Sequence, residues 1–247
     1  MLMGTIACNN TFVSQSIGRG DPKEAGRYTI HAIYFAIIYQ LLLLPLMAWT
    51  DEIFRLYPHK PELSILGAQY LRMRIPHLAA TGAVMACATF FQGSGRARIP
   101  MIAGILANLL NVFGDWVLIF GKGGLPRMGI SGAGLATTLS TYVEAGMLLA
   151  VFVSWRMHQR YDTRRWLPFE WRRLRQLIGI GMPSGLHWML NLGSWAVFVN
   201  VIVGKLGTDV SAGNTAASQI MHLSFMPTIG LNIGVTALVG RHIGAKN

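Results

Sequence analysis

Between Ile99 and Phe120 the chain reads IPMIAGILANLLNVFGDWVLIF, and Asp115 is the only charged residue in that stretch. A helix rises ~1.5 Å per residue and a bilayer's hydrocarbon core is ~30 Å thick, so about 20 mainly apolar residues cross it. Six more stretches of this kind lie around the first. In order the seven run Met1 to Ile17, Tyr28 to Trp49, Ile75 to Phe91, Ile99 to Phe120, Ile130 to Trp155, Leu177 to Val203 and Ala212 to Val239. Pro45, Pro183 and Pro227 fall inside spans, which is tolerated where neighbouring helices re-satisfy the backbone. No alternating ten-residue pattern points to a membrane β-barrel. The fold class expected is an all-α, polytopic transmembrane bundle.

Composition agrees. The chain is 52% apolar and 13% charged, with a mean hydropathy of +0.42, whereas soluble domains carry roughly a quarter charged residues. The net charge of +11 raises nucleic acid as a partner, but topology accounts for it. Fourteen Lys and Arg fall in one alternate set of loops and seven in the other, counting Arg72 and Arg74 at the approach to the third span. The richer set is therefore cytoplasmic. No aromatic-basic recognition module accompanies the charge, so nucleic acid is set aside and the bilayer is the partner. Cys8 and Cys87 both lie within spans and read as packing residues, with no disulfide framework. Met1 to Ile17 lacks the basic start and cleavage site of a signal peptide and reads as a clipped span.

The longest polar break, Arg156 to Gln176, separates five spans from two. Trp166 and Trp171 among seven arginines suit a segment against anionic headgroups; a solvated linker is the competing reading. Met1 to Gly18 superimposes on Pro227 to Gly244 with an offset of 226, pairing Gly4 with Gly230, Val13 with Val239 and Ile17-Gly18 with Ile243-Gly244. The two segments are six spans apart and so cross in the same direction, which implies parallel six-helix repeats. On that basis one helix is expected before Met1 and four after Asn247. The domains are then 1–155 as an N-terminal lobe, 156–176 as a basic cytoplasmic linker and 177–247 as the start of a C-terminal lobe.

Asp115 costs ~2.5–3.5 kcal/mol at the centre of a span on insertion scales, so it belongs in a bundle interior. Gly104, Asn108, Asn111 and Asp115 share one helical stripe, with Leu106, Leu110, Phe113 and Val117 elsewhere. Thr137, Thr141 and Glu144 form a stripe on the next, antiparallel span. Asp115 and Thr137 both lie roughly 8–10 Å inside the outer edge and are expected to share a site. A carboxylate, an amide and a hydroxyl there suit a proton, a sodium ion or a substrate cation; a purely structural polar cluster is the competing reading. His31, His77, His187 and His222 are scattered and read as hydrogen-bonded packing or interface residues. Gly230, Gly234, Gly240 and Gly244 read as small-xxx-small packing pairs. No hydrolytic constellation marks an enzyme.

Six segments together resemble a known family: NNTFVSQSIGRGDPKEAGR (Asn9 to Arg27), FFQGSGRARIPM (Phe90 to Met101), NLLNVFGDWVLIFG (Asn108 to Gly121), GISGAGLATTLS (Gly129 to Ser140), GIGMPSGLHWML (Gly179 to Leu190) and LVGRHIGAKN (Leu238 to Asn247). Their order and spacing resemble the second through eighth helices of the multidrug and toxic compound extrusion (MATE) transporters. The resemblance implies a twelve-helix, two-lobe protein of a bacterial-type inner membrane, monomeric at full length. It would export amphiphilic or cationic small molecules by antiport with H+ or Na+, without a cofactor. It matches Asn111 and Asp115 to the Asn and Asp of the N-lobe site of proton-coupled members, and Thr137 to its Thr. Asn108, Thr141, Glu144 and Asn191 are substrate-cavity candidates. Glu144 has no counterpart and equally suits a neighbouring hydroxyl. Asn191 stands where a sodium-coupled branch has Glu, which shifts weight to the N-lobe. The alternatives are a lipid-linked oligosaccharide or lipid II flippase of the same superfamily, disfavoured by few deep cations, and a seven-helix receptor or channel.

Overall fold

A computed structural model of the chain describes residues 1–50, 52, 67, 69, 71, 72, 74–122, 124, 126–166, 168–206 and 208–246. The described elements are helical: α1 (Leu2–Ala7), α2 (Asn9–Gly18), α3 (Pro22–Leu43), α4 (Leu78–Gly93), α5 (Arg98–Phe120), α6 (Ile130–Phe152), α7 (Trp155–Tyr161), α8 (Trp171–Val197) and α9 (Thr208–Ala245). Local chemistry sets several ends. Asp21 caps α3 by accepting from the Glu24 N–H at 3.1 Å, with Pro22 in the first turn, the residue types that satisfy and pre-organise a helix start. Gly121 closes α5 in the left-handed region at φ 68°, which glycine enters at no steric cost.

Four described stretches are long and apolar enough to cross a membrane by length and composition: Pro22–Trp49, Arg98–Phe120, Ile130–Phe152 and Gly213–Ala245. The chain is thus a multi-pass membrane protein, but the expected seven spans are not all reproduced as uniform helices. The first is broken at Cys8 into α1 and α2. The third begins as a 3-10 turn at Ile75–His77 and continues as the 16-residue α4. The sixth, α8, extends back through Arg172, Arg173 and Arg175 and carries polar His187, Asn191 and Ser194 farther on, which dilutes its hydropathy. It then passes into π-type and 3-10 turns over Phe198–Ile202 and Val203–Leu206. The part of the second loop that holds Arg55 and Lys60 lies outside the described residues.

One bundle gathers α2, α3, α4, α5 and α6. At its centre Asn9, wholly buried, donates from Nδ2 toward Thr29 Oγ1 (3.3 Å), Ala86 O (3.2 Å) and Thr89 Oγ1 (3.1 Å). Near the C-terminal end of α4 Phe90 meets Phe152 and Tyr161 edge to face, each at 5.0 Å between ring centroids. Such pairs add ~0.5–1.5 kcal/mol beyond area burial. Large apolar residues on the opposite faces of α5, among them Leu106, Leu109, Leu110, Val112 and Phe113, are exposed, as expected where helices meet hydrocarbon.

Against this bundle α8 and α9 pack through glycine. Gly185 and Gly181 lie on Thr5 of α1, so closely that an added Cβ would fall 2.3 Å from the Thr5 carbonyl at Gly181. On α9 an added Cβ at Gly244 would stand 2.2 Å from Gln15 O, and one at Gly18 of α2 would stand 2.1 Å from Arg241 O. These two contacts exchange under the offset of 226 found in the sequence: Gln15 maps to Arg241 and Gly18 to Gly244. A surface that meets its own repeat in this reciprocal way is isologous. Of the expected glycine pairs, Gly240 and Gly244 pack as read, whereas Gly230 and Gly234 have no neighbour within 4 Å.

The polar break does not lie free. After α7 it folds back on α3, where the Tyr34 hydroxyl donates to Trp166 O, Phe169 stacks on His31 with centroids 5.7 Å apart, and the Glu170 N–H donates to His31 Nε2 at 2.9 Å. Glu170 pairs with Arg173, and that contact holds the Glu170 carboxyl below its ordinary range. Of the other histidines, buried His77 bonds Arg74 O, while His187 and His222 are exposed.

Two outcomes follow from this packing. Gly18→Ala and Gly244→Ala should each destabilise the protein by ~1–3 kcal/mol, the usual cost of overpacking, whereas Gly234→Ala should gain up to ~1 kcal/mol of helix propensity; thermal unfolding in detergent ranks the three. For Glu170, a lowered folded pKa means stability that is complete above the ordinary carboxylate pKa and lost as pH falls through the folded value. The melting-temperature advantage of wild type over Glu170→Gln should therefore be full near neutrality and shrink once pH drops below about 4.

Candidate functional site

The helices α5 and α6 run antiparallel, and small residues let them approach. Gly132 packs on the backbone of Leu118, and an added Cβ at Gly114 would meet Ala136 Cβ at 3.1 Å. Farther in, Asn111 Nδ2 donates to Thr137 Oγ1 at 3.3 Å, and a Cβ at Gly104 would lie 3.6 Å from Glu144 Oε1. This ladder fixes which candidates meet.

Asn111 and Thr137 face each other, and the Thr137 hydroxyl in turn donates to Ala133 O at 2.9 Å. Asp115 stands one turn along α5 from Asn111, toward the C-terminal end of that helix. The carboxylate is half-buried, and its Oδ1 is shut away from solvent without a hydrogen-bond partner among the described residues. Thr137 therefore pairs with the amide one turn below the carboxylate. Asn111, Asp115 and Thr137 together present a carboxylate, an amide and a hydroxyl on the seam between two helices. Such a set can take up a proton or surround a small cation with oxygen.

The remaining candidates stand apart from that set. Asn108 is exposed and turns its amide to Gly104 O at 2.8 Å. Thr141 donates to Thr137 O at 2.8 Å, within its own helix. Both make the local back-bond that Ser, Thr and Asn readily form with a preceding carbonyl. Glu144 lies seven residues beyond Thr137, ~10 Å farther toward the C-terminal end of α6. Among the described residues no hydroxyl is shown bonding to it.

Asn191 belongs to a different place. It lines a cavity of about 800 Å³ between α8 and α9, with Trp188, Trp195, Phe198, His222 and Phe225 among its walls. Of this group, sequence reasoning singles out Asn191 alone. A usable signal is present: Trp188, Asn191 and Trp195 fall at i, i+3 and i+7, as do His222, Phe225 and Ile229, so each triple shares a helix face. The buried Asn9 also escapes sequence reasoning as a bonding centre, because the Asn9-Asn10 pair gives no hint that two threonines from other helices converge on the first of them.

Comparison with known proteins places this geometry. The MatE family model matches residues 1–117 and 183–247. The chain is 29% identical over 237 residues to a probable multidrug resistance protein NorM of Thermotoga maritima, covering 95% of this chain and 50% of that protein. It is 31% identical over 255 residues to multidrug resistance protein PmpM of Pseudomonas aeruginosa, covering 99% and 52%. Among solved structures, the crystal structure of MATE in complex with MaL6 superimposes with a TM-score of 0.88 at 22% identity, over 100% of this chain and 54% of that one. A MOP superfamily transporter from Pyrococcus furiosus gives 0.86 at 23%, over 100% and 54%. The chain spans about half the length of these relatives. The family match covers well over half of the chain, including Asn111 and Asp115 but not Thr137, and the chain belongs to the MatE family of multidrug and toxic compound extrusion transporters.

Proposed function

We propose that this chain is part of a secondary active exporter of amphiphilic or cationic small molecules, in which Asp115 takes up the coupling proton or sodium ion. The observation that carries the reading is the buried, unpartnered Oδ1 of Asp115 beside the Asn111–Thr137 pair. A buried acceptor without a partner costs ~1–3 kcal/mol, more when charged, and a bound proton or cation removes that cost. The relatives named as multidrug resistance proteins support export as the direction. The aromatic cavity between α8 and α9 offers faces on which an organic cation is attracted by the ring quadrupoles.

The reading divides the protein into an N-terminal lobe, residues 1–155, and a C-terminal lobe beginning at 177, joined by residues 156–176. Support comes from the reciprocal contact of α2 with α9 and from the two separated stretches matched by the family. Occupancy of Asp115 can drive rocking of the lobes only if the ion binds the outward-open and inward-open states with different affinity.

The test uses the intact polypeptide that carries these residues, reconstituted in vesicles with an imposed proton or sodium gradient and a fluorescent organic cation. Asp115→Asn should abolish gradient-driven export, and undiminished export by that variant rejects the role. Asn111→Ala and Thr137→Val each break the bond between these two neutral side chains, worth ~0.5–1.5 kcal/mol, and should each slow export by about three- to tenfold. Running both gradients separately identifies the ion, because only one of them should drive transport.

A further inference from the structure

A second cavity, of about 390 Å³, lies at the cytoplasmic end of α3, where the folded-back segment crosses it. Arg27, Ile30, His31, Arg165, Pro168 and Glu170 line it. We propose that this cleft binds the phosphate of an anionic phospholipid headgroup from the cytoplasmic leaflet. The site is separate from Asp115 and does not depend on which ion is coupled.

The walls are fixed by bonds that leave the cations free. His31 accepts from the Glu170 N–H at Nε2 (2.9 Å) and its Nδ1 lies 2.7 Å from Arg27 O. Accepting at one nitrogen makes the other the donor, so the ring is neutral and ties the backbone of Arg27 to that of Glu170. The imidazole therefore builds the cleft and supplies no charge to it. Phe169 stacks on the same ring, which holds the segment in place from the other side.

The charge comes from the two arginines. Arg27 forms no ion pair among the described residues. Arg165 is 69% exposed and reaches Asp162 only at 3.5 Å, a solvent-screened contact that competes weakly. Glu170 is the one acid in the lining, and it is already paired with Arg173, a residue only 7% exposed. Two arginines thus line one cleft whose single lining carboxylate bonds Arg173 first and feels the Arg27 charge only at longer range. Planar guanidinium donors match phosphate oxygens in pairs, the geometry for which Arg is preferred over Lys.

The surroundings argue for a lipid as the source of that phosphate. Phe169 and Trp171, which flank Glu170 in the chain, are 42% and 63% exposed. Aromatic rings of this kind collect at headgroup level. The segment also lies on the side of the protein richer in Lys and Arg, which faces the anionic leaflet.

The test uses the full chain, purified and depleted of lipid, with dioleoyl phosphatidylglycerol or dioleoyl phosphatidylcholine added back. Retained lipid is counted by native mass spectrometry and stability is followed by thermal unfolding. Phosphatidylglycerol should be retained and raise the melting temperature where phosphatidylcholine does not. The pair R27Q and R165Q should lower its retention roughly tenfold or more, as expected for losing two cationic contacts to a phosphate. The pair R172Q and R175Q removes equal charge outside the lining and should leave retention within twofold. P168D adds a carboxylate at the rim and should mimic the first pair, which keeps the proposal testable should that pair fail to fold. The proposal is overturned if R27Q with R165Q, or P168D, retains phosphatidylglycerol as wild type does. It is equally overturned if R172Q with R175Q loses as much, which would mean diffuse attraction. An identical stabilisation by inorganic phosphate alone would assign the cleft to free phosphate and also reject the lipid.

Discussion

The approach of α9 to α2 sets the geometry on which the rest of the molecule depends. In hydrocarbon no hydrophobic force draws one apolar helix to another, so association rests on close packing and on polar contacts between helices. Gly18 and Gly244 bring backbone against backbone, and Gly240 receives the Ser14 side chain, where a single methyl group would collide. That proximity is what allows the Arg241 guanidinium to reach Gly93 O, at 3.1 Å from Nη2 and 3.3 Å from Nε, at the carbonyl end of α4. A cation at a helix C-terminus is favoured by the dipole as well as by the bond. Gly181 and Gly185 repeat the device between α8 and α1.

The seam made this way differs in kind from the interior of the bundle. Within the bundle, Asn9 ties α2 to α3 and α4 through buried hydrogen bonds, and Phe90 is enclosed by aromatic rings. Breaking such a knot leaves polar groups unsatisfied in an apolar medium, which is costly. Across the seam the described contacts are glycine faces, one capping arginine, the Asn10 amide on Ile233 O and, toward α8, the Tyr28 hydroxyl on Gln176 Oε1 and the Cys8 thiol on Leu177 O. Smooth glycine faces part with few bonds lost. A rigid interior beside a separable seam is the mechanical condition for bodies that move against each other.

Much of this was legible in the sequence, for identifiable reasons. Span positions came from hydropathy, which reports the solvent directly; α5 and α6 fall within a few residues of the expected limits. The break at Cys8 was not legible, because one change of direction in an apolar stretch alters neither length nor composition. Helical stripes and antiparallel depth bring Thr137 to the right region of α5, but they set it level with Asp115, whereas its hydroxyl meets the Asn111 amide one turn away. Asn108 and Thr141 shared those stripes yet turn to their own helices, a choice between rotamers on which periodicity is silent. The reciprocal glycine contact was foreshadowed by the offset of 226. Its partners were not, since an offset gives equivalent residues and says nothing of which face each presents.

Asp115 and the seam are linked by a short covalent path. Asp115 sits on α5, whose first turn at Arg98 follows directly on the turn that ends α4, and Gly93 O in that turn is the acceptor for Arg241. Gly95 takes φ +78° there and lies against the Arg241 guanidinium, so the connection is tight and made partly of a residue that tolerates such a conformation. A shift of α5 would be delivered through this turn to the contact between Arg241 and Gly93 O. Packed helices transmit displacement because their interiors are dense and have few voids to absorb it.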